Sequence, residues 1–373
     1  MKQIKYWILA LLYCSGFAAC NQDLEIPLPQ FQTGGSEEIA LDTIEFSVYV
    51  YADRPSVERL GGKESFTVKL EELFRKSTTY WNESSHKKLK YYFRYKPMYL
   101  EVYDGSSQDA TLKNKIYNGP FDFNLYDVTV FFDLVQDNGE TGNGGAAHSG
   151  GSNNRSVVTV FVGPNEEKNI FTDNTYRTLV HELGHYRGVT DMYQYIISSN
   201  DNPVNKIAYE PSKCIMWDAA QAEWSDYAAK IINYTAKSKQ IGKDYEDFFA
   251  SMYPKNIEIT VLVDGKPKRG VPVYFYGSRA GGSTHGRDVW PEAFKNFQTD
   301  KDGRILITDV KGLYVPDRKL YPDLPASLPY GRWFSFIVEA VHGTTKKYEW
   351  LPEYIVQMPF FEGSDTYRAT IAF

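Results

Sequence analysis

His181, Glu182 and His185 fall within one short run, His-Glu-Leu-Gly-His-Tyr-Arg-Gly-Val-Thr-Asp, which ends at Asp191. On a helix of roughly 3.6 residues per turn the two imidazoles project from one face, one turn apart, and both can reach a single ion. Two histidines do not complete a catalytic metal site, which takes three protein ligands and keeps one position open. Gly188 offers a route to the third ligand. Glycine readily adopts the left-handed conformation that ends a helix, so the chain can double back and bring Asp191 against the same ion. A carboxylate oxygen is an acceptable zinc ligand, at about 2.0–2.2 Å. Glu182, beside the first ligand, need not bind metal; its carboxylate can take a proton from a water activated by the ion. The chemistry predicted is metal-assisted hydrolysis. A His-Glu-x-x-His run also arises by chance on amphipathic helices, where Glu182 would be one more solvated side chain. The extension through Gly188 to Asp191 favours the metal reading.

These residues need a helix, and the pattern predicts one from Asp173 or Asn174, as N-cap, through His185 to Gly188. Upstream, β-branched and aromatic runs predict strands over Ile44–Tyr51, Leu89–Tyr103, Tyr126–Val135 and Ser156–Val162. Val68, Leu70, Leu73, Phe74 and Trp81 sit near helical spacing and predict a helix over Ser65–Asn82; another is expected over Ala222–Lys237. A glycine-rich loop, Gly139–Gly151, precedes the last strand. Residues 41–253 therefore read as an α+β domain, a mixed sheet packed on helices. From residue 254 the texture changes. Ile257–Val263, Val271–Tyr276, Arg304–Asp309, Trp333–Val341, Tyr348–Val356 and Tyr367–Phe373 are short strand patterns, and Asp264-Gly265 is a hairpin turn. With no helix expected, residues 254–373 read as an all-β sandwich. Asp300-Lys301-Asp302-Gly303 lacks the remaining acceptors of a calcium loop and reads as a hairpin turn.

Lys2 and Lys5, the apolar run Tyr6–Tyr13 and the small residues before Cys20 mark residues 1–20 as a processing segment, too short to span a membrane comfortably. Residues 21–40, rich in Pro, Gln and Gly, read as a tether. Phe17-Ala18-Ala19-Cys20 resembles a bacterial lipobox, and Asp23 and Glu25 resemble the acidic signals that send lipoproteins to the surface of Bacteroidetes-type bacteria. That resemblance implies an exported lipoprotein at the outer membrane or cell surface, anchored by a lipid on Cys20; plain secretion is the alternative. With Cys14 and Cys20 in this segment, Cys214 stands alone in the mature chain. No internal disulfide can form, and Cys214 is expected as a small buried hydrophobe. A net charge of -6 and the lack of a basic stripe exclude a nucleic-acid partner.

The run HELGHYRGVTD resembles the extended zinc signature of the metzincin peptidases, with Asp in the place of the last His as in the snapalysin-like branch. The resemblance covers roughly residues 41–250. It implies zinc on His181, His185 and Asp191, with Glu182 as general base. It implies a methionine turn beneath the metal, for which Met216 in Cys214-Ile215-Met216-Trp217-Asp218 is the candidate. Met216 supports the structure on either reading. It also implies an antiparallel edge strand that pairs with extended substrate, placed at Gly145, Ala146 and Ala147. Tyr186 and Tyr193 flank the site, where a phenol could stabilise an oxyanion. His148 could touch substrate but reads more simply as a loop residue; His86, His285 and His342 have no ligand spacing. Residues 254–373 resemble the immunoglobulin-like or carboxypeptidase-regulatory-like modules of bacterial surface proteins, as a spacer or as a binder of glycan or protein. The expectation is a monomeric zinc endopeptidase acting on extracellular protein or peptide. The alternative is a surface glycan- or protein-binding lipoprotein with a residual metal site, against which an intact Glu182 counts.

Overall fold

The computed structural model describes residues 41–373 apart from 85–86, 108, 120–121, 123, 135–143, 149–156, 163–170, 172, 239–247, 250, 280–287, 318 and 321–330. The expected leader ending at Cys20 and the tether to residue 40 lie outside the described residues. The first half runs β1 (Thr43–Asp53), α1 (Arg54–Arg59), α2 (Gly62–Glu83), β2 (Tyr92–Tyr103), α3 (Ala110–Asn118), β3 (Val128–Leu134), β4 (Gly144–His148), β5 (Val157–Val162), α4 (Asp173–Tyr186) and α5 (Asp226–Thr235). Its five strands form one sheet in the order β2-β1-β3-β5-β4. The first four are parallel, and β4 closes the edge antiparallel to β5, with Ala146 opposite Thr159.

Both faces of this sheet are covered: Phe46, Val48 and Val50 of β1 pack on one side, and Tyr49 and Tyr51 on the other. On one face Phe46, Val48, Val50, Val128, Val130, Val158 and Val160 pack with Leu70, Leu73, Phe74 and Trp81 of α2 and Leu179, Val180 and Leu183 of α4. The α2 residues recur at three- and four-residue spacing, the stripe that faces a core. On the other face Tyr51, Phe131 and Val157 pack with Ile116 of α3. That helix escapes sequence reading because Ile116 is its one fully buried side chain; the Asp109 carboxylate capping Leu112 N–H at 2.8 Å starts it.

The second half adds β6 (Asn256–Val263), β7 (Lys266–Pro267), β8 (Pro272–Ser278), β9 (Lys295–Gln298), β10 (Arg304–Ile307), β11 (Ser335–His342), β12 (Thr345–Pro352) and β13 (Thr366–Ala372). One sheet has the order β10-β6-β13 with β7 on β6, and the other the order β12-β11-β8-β9. Alternate residues of both, among them Ile257, Ile259, Val273, Phe275, Phe336, Val338 and Ile371, meet in a shared core. Asp264 (φ 51°) and Gly265 (φ 72°) make the two-residue turn from β6 to β7, both in the left-handed region that such a turn requires. The turn at Asp300–Gly303 is not the hairpin expected, because it carries the chain from β9 in one sheet to β10 in the other. Asp300 is engaged by its own turn, accepting from Asp302 N–H and Arg304 N–H at 2.8 Å each. Short helical turns at Val310–Tyr314, Glu353–Val356 and Met358–Phe361 interrupt the all-β reading; none is long enough to show a helical period.

Residues 41–373 form one compact unit of mixed α and β structure with three sheets. Phe334 and Tyr354 from the second half belong to the core of the first. Conversely, Ile197, Val204 and Tyr209 cover the outer face of the β8–β11–β12 sheet at Tyr276, Ile337, Tyr348 and Trp350. Among the described residues no helix is long and apolar enough to cross a membrane.

Candidate metal centre

Helix α4 ends as the sequence requires. Gly188 N–H donates to His185 C=O at 2.8 Å and Val189 N–H reaches back to Gly184 C=O at 3.1 Å, the paired bonds of a Schellman cap. Gly188 has φ 90°, and a Cβ there would stand 2.8 Å from Phe248 Cε1. Conformation and space both demand glycine. The reversal brings Asp191 over the helix, where its Oδ1 lies 3.1 Å from both His181 Nε2 and His185 Nε2.

The other nitrogen of each ring is tied to a carbonyl: His181 Nδ1 donates to Ile215 C=O and His185 Nδ1 to Val189 C=O, both at 2.7 Å. A carbonyl only accepts, so Nδ1 carries the proton and each Nε2 presents its lone pair to Asp191. Two ring lone pairs and a carboxylate aimed at one point repel one another unless a cation stands between them. Without a metal that cation is a proton. Burial works to lower His185, yet the Asp191 charge and hydrogen bond overcome it and push the imidazole up to about 9. Burial likewise works to raise Asp191, but the two imidazoles hold its carboxyl well below the usual carboxylate range.

A metal ion fits the same place. The three ligand atoms all lie within 4.8 Å of one another. Two atoms at about 2.05 Å from a tetrahedral zinc are about 3.3 Å apart, close to the 3.1 Å separations observed. The second carboxylate oxygen, Asp191 Oδ2, accepts from Tyr193 O–H at 2.7 Å, which leaves Oδ1 as the ligand. Glu182 is 4% exposed, burial raises its carboxyl, and its Oε2 has no hydrogen-bond partner among the described residues. A buried carboxylate oxygen left open beside a ligand cluster is what a proton-accepting base requires.

The segment beneath is equally constrained. Met216 is fully buried, and its C=O accepts from Met192 N–H at 2.8 Å, tying the turn after Asp191 to the turn that also supplies Ile215 C=O. A Cβ on Gly184 would stand 2.6 Å from Met216 Sδ and 3.1 Å from Trp224. Sequence reasoning passed over Gly184; its signal was a glycine in mid-helix, unfavourable there unless something approaches closely. Of the flanking tyrosines, Tyr193 serves Asp191. Tyr186 does not face the ligands at all: it is buried, and its hydroxyl donates to Asp127 C=O at 3.2 Å. Cys214 is fully buried, and burial raises its thiol, as expected of a small hydrophobe. Gly145, Ala146 and Ala147 lie on β4, the strand at the sheet edge, which packs against α4. The side chain of His148 lies outside the described residues.

No family model matches the chain. No curated protein matches it either. Among solved structures it is similar to a chain of a chaperone–substrate complex, at 14% identity over 54% of this chain, with a TM-score of 0.32; it spans 39% of that chain. It is also similar to wild-type OgpA from Akkermansia muciniphila, at 11% identity over 85% of this chain and 95% of that one, with a TM-score of 0.34.

Proposed function

We propose that this chain is a zinc-dependent endopeptidase of the metzincin type, with a peptidase domain over residues 41–253 and an immunoglobulin-like sandwich over residues 254–373. The observation that carries the reading is the convergence of His181 Nε2, His185 Nε2 and Asp191 Oδ1, with both ring tautomers fixed by carbonyls. Bound there, zinc would polarise a scissile carbonyl and acidify a water molecule. The protein's own groups do the rest. His181 and His185 ride on α4, so their separation is set by the helix, and Asp191 is turned by the Tyr193 hydroxyl to offer one oxygen. Glu182, made more basic by burial, accepts the proton of the attacking water and hands it to the departing amine. An extended peptide would add to the sheet along the outer edge of β4, its backbone pairing with the strand that holds Gly145, Ala146 and Ala147. The substrate class is extracellular protein or peptide, met at the cell surface by a chain tethered through a lipid on Cys20.

Hydrolysis of a fluorogenic peptide library by wild type and Glu182→Gln tests the assignment. Loss of the base lowers kcat by about 10²–10⁴-fold. Equal rates in the two proteins would remove Glu182 from the reaction.

A further inference from the structure

Glu353 is fully buried at the start of the helical turn Glu353–Val356, just after β12. Its carboxylate accepts from Tyr195 O–H at 3.2 Å and from Tyr253 O–H. Arg332 Nε stands 3.3 Å from it, with the guanidinium over the rings of Phe249 and Phe334. A carboxylate removed from water persists only with such partners, so these contacts are specific and mutually dependent.

Tyr195 links this network to the metal centre. It is the last residue of the 3-10 turn Met192–Tyr195, for which Asp191 is the residue at the N-terminal boundary. Its ring meets Tyr354 edge-on at 4.9 Å and Phe334 at 5.4 Å. The chain beyond is held from the same side. Ile197 pairs with Tyr209, the Tyr209 hydroxyl meets that of Tyr354 at 2.6 Å, and Val289 N–H donates to Asp201 C=O at 2.9 Å. His181 and His185, by contrast, are set by α4 and by carbonyls of the first half.

We propose that Glu353 is a positioning residue for the metal centre: by holding the Tyr195 hydroxyl it fixes the turn that presents Asp191, so the strands of the second half set the place of the third ligand. The inference rests on the metal reading above and deepens it. A ligand on a prefixed turn needs no ordering when the ion binds, whereas the same carboxylate on a loosened turn loses affinity.

The test is zinc affinity of the full chain, by competition with a chromophoric chelator, in wild type, Tyr195→Phe, Glu353→Gln and Tyr314→Phe, with the thermal midpoint of each metal-free protein. Tyr314 donates a buried hydrogen bond to Leu351 C=O in the shared core of the second half and serves as the control for lost stability. Tyr195→Phe and Glu353→Gln are expected to weaken zinc binding about tenfold, in the range for residues that orient ligands. Tyr314→Phe lowers the midpoint and leaves zinc affinity within about twofold of wild type, since it keeps the ring that stacks on Tyr253 and loses only a hydroxyl that donates to Leu351 C=O and not to Glu353. Should Glu353→Gln fail to fold, Tyr195→Phe, which deletes one hydroxyl, still decides. Wild-type affinity in Tyr195→Phe, or an equal loss in Tyr314→Phe, overturns the inference while leaving the metal site standing. A wild-type chain that takes no zinc overturns the metal reading itself, and this inference with it.

Discussion

At the scale of single residues, the ligand geometry is set by small groups with no freedom to spare. Tyr193→Phe removes the hydrogen bond that reserves Asp191 Oδ2 and is expected to lower zinc affinity about tenfold, read by chelator competition. Gly184→Ala forces a methyl group against Met216 and Trp224 in a filled interior, a destabilisation of about 1–3 kcal/mol on thermal melting. Gly188→Ala adds backbone strain at φ 90° to a contact with Phe248 and is expected to cost at least about 1–2 kcal/mol. His181, His185, Asp191 and Glu182 were legible in the sequence because helical spacing and a glycine stop fix their geometry within one run. Tyr193 and Ile215 C=O were not legible in those roles. The first depends on which way one phenol turns, and the second is a backbone group brought in from another turn. Tyr186 misled for the same reason: one residue beyond His185, it lies on the face of α4 that meets the sheet, not the ligands.

At the scale of elements, α4 can present its histidines only if its opposite side is anchored. Leu179, Val180 and Leu183 do this, packing into the core that α2 and the sheet share. Leu70→Ala, in the buried stripe of α2, opens a cavity in that core and is expected to cost about 2–5 kcal/mol in denaturant unfolding, without touching a ligand. Elements with a strong period, β1, α2, β5 and β6, were readable to within a few residues. Among the ones missed are those whose cause is local or distant: α1 and α3, each begun by an aspartate cap, at Asp53 and Asp109, the short strands β7 and β9, and the turns after β10 and β12, which span less than two helical turns. The β9–β10 turn was recognised as a turn, but which sheets its strands join depends on long-range pairing that no local pattern encodes.

At the scale of the whole molecule, the change of texture near residue 254 marks a change of architecture, not an end to contact. Phe334 and Tyr354 complete the first core, while Ile197 and Tyr209 cover a sheet of the second half. A chain truncated after residue 253 is therefore expected to expose apolar surface, to lose cooperative unfolding by circular dichroism, and to bind zinc more weakly than the full chain; a truncated chain that melts cooperatively and binds zinc fully would refute that mutual dependence. The central claim is simpler, that His181, His185 and Asp191 together hold one metal ion. Elemental analysis of the purified protein beside Asp191→Ala tests it most directly. The account predicts about one zinc per wild-type chain, lost or greatly reduced in the variant. A wild-type chain that carries no zinc after incubation with the metal at neutral pH, or an Asp191→Ala chain that carries as much as wild type, would contradict it.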